Sequence, residues 1–266
     1  MLSSIPEAAV SYGFVIDGLG AHSSRTIMLK ELGLLLAACP PATGVEGYSS
    51  AILNENVLLK PTDATRKESF RRLREMYGLD PNLLVFRALR DLWYQNQKTQ
   101  PLLALLCAAS RDPILRATAG AVLDAPLGSI VTPQMISKSI DDQFPGRLNA
   151  TTLASIGRNT ASSWTQTGHL QGRSKKVRSG VQSYPTSVAY ALLLGHLCGV
   201  RGEALFHTIW TYLLDVPVHT LREHAILTSQ QGWLEYRHAG DVTEITFHHF
   251  LGEEPYERDR WSATGL

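Results

Sequence analysis

The stretch from Thr132 to Gly180 limits the fold of this chain more than any other. Thr132-Pro133 has the signature of a helix start, a hydroxyl cap followed by a proline that needs no N–H partner. Phe144-Pro145-Gly146 cannot extend that helix and reads as a turn. Asn149 is then placed to cap a longer helix over Ala150–Gln166. Beyond that helix Gly168, Gly172 and Gly180 punctuate the chain, as a hairpin requires. Helix, turn, helix and hairpin in this order predict a winged helix-turn-helix over residues 132–182.

Charge follows the same boundaries. From Gln143 to Gly202 there is no Asp or Glu, whereas Arg147, Arg158, Arg173, Lys175, Lys176, Arg178 and Arg201 all fall inside. The segment carries +7 in a chain of net charge +1, which leaves −6 for the remainder. A near-neutral protein that gathers its cations into one stretch has the electrostatic footprint of a polyanion binder.

On the helix Ala150–Gln166, the 3.6-residue period sends Leu153, Ile156, Thr160 and Trp164 to one side. The other side presents Thr151, Ser155, Arg158, Asn159, Ser162 and Gln166, with no anion among them. Arg and Asn make bidentate contacts to guanine and adenine edges, and Ser and Thr bind phosphates or base edges, so this face suits a major groove. Arg173, Lys175, Lys176 and Arg178 would form a basic wing that holds the DNA backbone. Taken alone, that loop reads as an ordinary solvated one. Helix order, missing acids and hairpin together favour nucleic acid.

A second basic run, Arg66, Lys67, Arg71, Arg72 and Arg74, lies on a helix expected from Thr62 or Asp63 to about Tyr77. It admits two readings. Glu68 with Arg72 and Arg71 with Glu75 have i,i+4 spacing, which makes a charge-paired face. The alternative assigns Lys67, Arg71 and Arg74 secondary contacts to DNA backbone.

Elsewhere the apolar spacing is also helical, over Thr26–Ala38, Pro81–Gln95, Leu102–Ser110 and Ile114–Leu123. A change to Pro, Gly and Ser around Ala125–Ser129 separates an N-terminal helical bundle (1–125) from the winged module (126–182). Helices at Thr186–Cys198, Gly202–Leu214 and Val218–Gln230, then strands at Gly232–His238 and Val242–Phe247, repeat the winged order in a C-terminal module (183–252). A polar tail (253–266) completes the chain. Glu223, Glu235, Asp241 and Glu244 make phosphate binding harder in that last module, so protein docking suits it at least as well. The expected class is mainly α, a helical bundle followed by winged helix-turn-helix modules with short β-hairpin wings.

Several chemistries lack their residues. Cys39, Cys107 and Cys198 are far apart, lie in apolar stretches and have no zinc-finger spacing, so reduced buried thiols are expected and no metal site. The His248-His249 pair near His238 lacks a carboxylate or cysteine set to complete a metal site. Gly18-Leu-Gly20-Ala-His-Ser23 is missing the third glycine of a dinucleotide loop and reads as a loop into the first helix. Asp141-Asp142 fits turn chemistry better than acid–base catalysis. No hydrolase, zinc-protease or nucleotide-binding motif occurs, so no catalytic residue and no cofactor are expected. The first ten residues lack the basic start and apolar core of a secretory signal, and no apolar stretch is long enough for a bilayer, so a soluble, cytoplasmic protein is expected.

Asn56-Val-Leu, Asp63-Ala-Thr-Arg-Lys-Glu-Ser-Phe-Arg-Arg-Leu, Leu102-Leu-Ala-Leu-Leu-Cys, Arg111-Asp-Pro-Ile-Leu-Arg and the helix Asn149–Gly168 with its wing together resemble the BrxA family, also described as DUF1819. The likeness covers roughly residues 20–182 through order and pattern. The resemblance implies a DNA-binding accessory of a bacterial BREX phage-defence complex, with small helical DNA-binding modules and no catalytic residues. Double-stranded DNA and other defence proteins are the partners this implies. A protein-docking scaffold and an RNA-binding helical protein are the alternatives to a duplex binder.

Overall fold

A computed structural model describes residues 5–240 and 242–252; Asp241 and the expected polar tail over 253–266 lie outside the described residues. With 59% helix and 6% strand, the protein is mainly α. The first helices are α1 (Leu29–Ala38), α2 (Val45–Leu53), α3 (Asp63–Tyr77), α4 (Leu84–Leu92) and α5 (Gln100–Arg111). Two short ones, α6 (Pro113–Ala117) and α7 (Ala119–Leu123), lead to α8 (Pro133–Gln143) and α9 (Ala150–Gln166). An antiparallel hairpin of β1 (Leu170–Gln171) and β2 (Val177–Arg178) comes next, in which Leu170 faces Arg178. Then come α10 (Pro185–Leu197), α11 (Ile209–Tyr212), α12 (Val218–Gln230), a second hairpin of β3 (Glu235–Ala239) and β4 (Val242–Thr246), and α13 (His248–Leu251). No helix among the described residues is long and apolar enough to cross a membrane.

Local chemistry sets many boundaries. Side chains of Thr62, Thr132 and Asn149 accept from the N–H groups of Thr65, Met135 and Thr152, which the first turns of α3, α8 and α9 leave without helical partners. Four expected helices differ, the first of them, over Thr26–Ala38, starting only at Leu29 after Met28 in a left-handed conformation. The one over Pro81–Gln95 starts only at Leu84, because Pro81 lies in a turn stabilised by Asn82 N donating to Asp80 Oδ1. The one over Ile114–Leu123 breaks at Thr118, whose hydroxyl donates to Leu115 O (2.7 Å) and accepts from Trp164 Nε1 (2.9 Å). Gly202–Leu214 opens as a 3₁₀ turn over Gly202–His207 before Thr208 caps α11. Helix α2 has no counterpart among the expected helices: Tyr48, Ala51 and Ile52 bury its inner face, but Gly44, Gly47 and Pro40-Pro41 disguise the period.

One apolar core runs through residues of all three predicted segments. Helix α10 is buried from Thr186 to Gly195, because α4 and α5 pack on it from one direction and α11 and α12 from another. Tyr190 on α10 donates to Val85 O of α4 (2.7 Å). The changes of texture near 125 and 182 therefore mark changes of local architecture within a shared interior.

The residues Gly128–Val131 run antiparallel beside β2, through Gly128 N to Arg178 O (2.9 Å), Arg178 N to Ser129 O (2.9 Å) and Val131 N to Lys176 O (3.0 Å). Helices α8 and α9 meet at Gly157, where Ser137 Oγ donates to Leu153 O (3.0 Å). A Cβ on Gly157 would fall on Ser137 Oγ and 2.6 Å from Pro133 O, so the close approach needs glycine. Gly157→Ala is expected to destabilise the protein by about 1–3 kcal/mol, the usual cost of overpacking. A lower urea midpoint with unchanged slope would register this; an unaltered midpoint would refute the tight crossing.

Candidate nucleic-acid interface

Helix α9 divides much as its period predicts. Ile156, Thr160 and Trp164 are buried and Leu153 is half-buried, whereas Thr151, Ala154, Arg158 and Gln166 are exposed. Ser155 and Ser162 fall within that stripe but are half-buried, and Ser162 Oγ turns back to donate to Arg158 O (2.9 Å). At 100° per residue the exposed positions span an arc of roughly 120°. It contains no carboxylate.

Asn159 is not an outward base reader. Its Nδ2 donates to His22 O (3.3 Å), and on the same flank Gln166 Oε1 accepts from Leu29 N (3.3 Å). The N-terminal stretch from Gly20 to Leu29 thus covers one side of α9, a long-range contact for which the local sequence carries no mark.

The covering stretch is held by a buried polar chain. Asp112 caps α6 by accepting from Leu115 N (3.1 Å), and its other oxygen accepts from His22 N (3.0 Å) and His22 Nδ1 (2.7 Å). His22 Nε2 lies 2.8 Å from Ser163 Oγ on α9, which also accepts from Ile27 N (2.9 Å). Burial works against the Asp112 charge, but His22 and the converging donors outweigh it and hold its pKa low. Gly20, at φ +59°, is needed because any Cβ would overlap the Asp112 carboxylate. The glycine pattern at Gly18–Gly20 thus serves to wrap a loop around an internal anion.

Carboxylate, imidazole and hydroxyl in this order have the connectivity of a hydrolytic triad. Yet His22, Asp112 and Ser163 are all 0% exposed, so no substrate reaches the hydroxyl. The chain of bonds is structural.

At the hairpin tip, Arg173, Ser174 and Lys175 are exposed. Lys176 is half-buried and donates to Gly172 O (2.8 Å); desolvation lowers its pKa. Gly172, at φ +97°, lets the turn close on the Lys175 carbonyl. Arg178 departs from the expected wing contact. It is 3% exposed, and its Nη2 donates to Asp215 Oδ1 (2.6 Å) while Nη1 reaches the carbonyls of His169 and Ser179. Its cross-strand neighbour Leu170 is 1% exposed, so both point inward. Arg178 anchors the hairpin and cannot meet a phosphate without unfolding it.

The basic run on α3 is charge-paired. Lys67 meets Asp63 (2.7 Å), Arg71 meets Glu68 (2.8 Å), and Arg72 bridges Glu68 and Glu75, each at 2.9 Å. Arg66 donates to Leu53 O (2.8 Å). Arg74 is exposed without an ion pair among the described residues. Exposed pairs contribute only about 0–1 kcal/mol, so Lys67 and Arg71 remain able to exchange partners, but their acids stay beside them. In the C-terminal hairpin Arg237 likewise sits between Glu235 (3.0 Å) and Glu244 (3.7 Å).

His169, also 0% exposed, fixes the base of the hairpin through Thr167 Oγ1 (2.9 Å) and Leu213 O (3.1 Å). Burial, reinforced by the Arg178 charge, pushes its pKa down to about 3 from the ordinary 6.5. Between these values only the unfolded chain binds the proton, so the stability that neutral His169 contributes is complete above pH 6.5 and lost on acidification. The expected loss from this group is about 2 kcal/mol between pH 7.5 and 5. His169→Gln keeps a donor for Leu213 O and should flatten that slope in urea unfolding; an identical slope would refute the assignment.

No protein-family model and no curated protein matches the chain.

Proposed function

We propose that this protein binds double-stranded DNA, without catalysis, through a winged helix-turn-helix built from α8, α9 and the β1–β2 hairpin. One observation carries this: an acid-free exposed stripe on α9 is followed directly along the chain by an exposed cationic hairpin tip. Arg158, Arg173 and Lys175 are solvent-facing and make no ion pair among the described residues. Connectivity adds support. Helix α7, the extended Gly128–Val131 against β2, α8, α9 and the hairpin follow the order of a winged helix with a third strand.

In this arrangement Thr151, Ser155 and Arg158 enter the major groove, with Ser162 along its edge. Arg173, Lys175 and Lys176 hold backbone phosphates. Asn159 and Arg178 leave the contact set, and Lys67, Arg71 and Arg74 remain a secondary backbone surface. The setting we propose is a cytoplasmic DNA-binding accessory of a BREX-type phage-defence complex, and the BrxA resemblance is its support. A protein-docking role for the C-terminal module has separate support in Ile226 and Leu227, exposed side by side on α12 at 46% and 44%.

Three cations on phosphates give a log–log salt slope of about −3 for duplex binding. Combined Arg173→Ala, Lys175→Ala and Lys176→Ala is expected to weaken duplex affinity and remove most of that salt dependence. Fluorescence anisotropy at several salt concentrations measures both. Unaltered affinity and slope would refute the wing contact, and tighter binding of structured RNA than of duplex would replace DNA with RNA as the ligand. Arg178→Ala should instead lower folding stability.

A further inference from the structure

On the face of the molecule where α7 meets the Gly202–His207 turn, α11 and the start of α12, there is an open groove of about 540 Å³. That lies within the range of roughly 300–1,000 Å³ typical of small-ligand sites. Phe206, Ile209, Val218 and Leu221 supply apolar lining, and Asp124, His207, Thr208, Thr211 and Tyr212 supply polar lining. Tyr212 Oη donates to Asp124 Oδ1 (2.5 Å). Burial and this bond raise the phenol pKa, which keeps it a donor.

Asp124 is exposed and has no cationic partner among the described residues. His207, also on the groove wall, is turned to Glu203 at 4.0 Å. A carboxylate without a cationic partner in a groove of mixed polar and apolar lining is complementary to an ammonium group carried on a compact, partly apolar body.

The turn that forms one wall of the groove also holds the basic hairpin. Tyr212 lines the groove, Leu213 O accepts from His169 Nε2 (3.1 Å), and Asp215 Oδ1 accepts from Arg178 Nη2 (2.6 Å). Asp215 itself adopts φ +55°, a left-handed conformation that Asp tolerates better than most residues and that makes the turn tight. Four consecutive residues thus connect the groove to both buried anchors of the β1–β2 hairpin.

We propose that the groove binds a small organic amine, its ammonium on Asp124 and its apolar body against Phe206, Ile209 and Leu221, and that the Tyr212–Asp215 turn relays occupancy to the hairpin. Neither half requires DNA, so the test is made without it. 2-Phenylethylamine is titrated into the full chain, and backbone amides are followed by NMR. The expected result is saturable shifts at Asp124 and Tyr212–Asp215, with parallel shifts over Gln171–Lys176. Asp124→Asn retains an acceptor for Tyr212 and should weaken binding about fivefold or more, as should replacing the amine by uncharged 2-phenylethanol. No saturable binding, or binding unaffected by either change, would overturn the amine site. Saturable groove shifts with silent hairpin amides would overturn the relay.

Discussion

The buried Asp112 carboxylate is the constraint on which the arrangement around α9 depends. A charge taken out of water costs several kcal/mol unless hydrogen-bond donors and an opposite charge replace the solvent. Here the replacements come from distant parts of the chain. Leu115 N belongs to α6, the His22 N–H and ring belong to the N-terminal stretch, and the far side of that ring meets Ser163 of α9. Removing one partner from such a set typically costs about 3–5 kcal/mol, because the charge stays behind uncompensated. The N-terminal stretch is therefore a structural part of the α9 environment.

This clasp determines which part of α9 can meet a partner. Asn159, Ser163 and Gln166 engage the backbone of residues 22–29, while Thr151, Ala154 and Arg158 project beyond the cover. The hairpin is fixed independently, by His169 and Arg178 to the turn at Leu213–Asp215. A helix held on one flank and a hairpin held at its base form a preorganised surface, so the proposed duplex binding would lose little ordering entropy.

The locally encoded parts of this architecture are legible in the sequence. Thr62, Thr132 and Asn149 act as caps where hydroxyl and amide side chains followed by a helical period predict them, and α9 ends at the expected residue. The misses are mostly long-range. Nothing beside Asn159 marks that His22 will accept from its amide. Arg178 stands in the same basic run as Arg173, yet the hairpin pairs it with Leu170, and the two-residue alternation of a strand then carries both side chains inward. A strand register drawn from the glycines at 168, 172 and 180 is the one signal that could separate Arg178 from its neighbours. Helix α10, with no polar face, is a helix from sequence alone, but its central burial reflects packing partners more than 90 residues away, such as Val85.

Charge segregation in the sequence becomes more selective in three dimensions. Seven cations occupy the acid-free segment from Gln143 to Gly202. Arg178 is neutralised inside the fold by Asp215, Arg147 faces Asp17 at 3.6 Å, and Arg201 keeps its charge but stands beyond α10, outside α9 and the hairpin. Arg158, Arg173, Lys175 and Lys176 remain. Fewer free cations make a weaker net field than a count of Lys and Arg suggests, but they are concentrated on α9 and one hairpin. Coulomb attraction between exposed charges falls off within a Debye length of about 8 Å at physiological salt, so clustering outweighs total charge in holding a polyanion. A chain with net charge +1 can carry such a segment because the residues outside Gln143–Gly202 hold a net charge of −6, although α3 itself has more cations than acids.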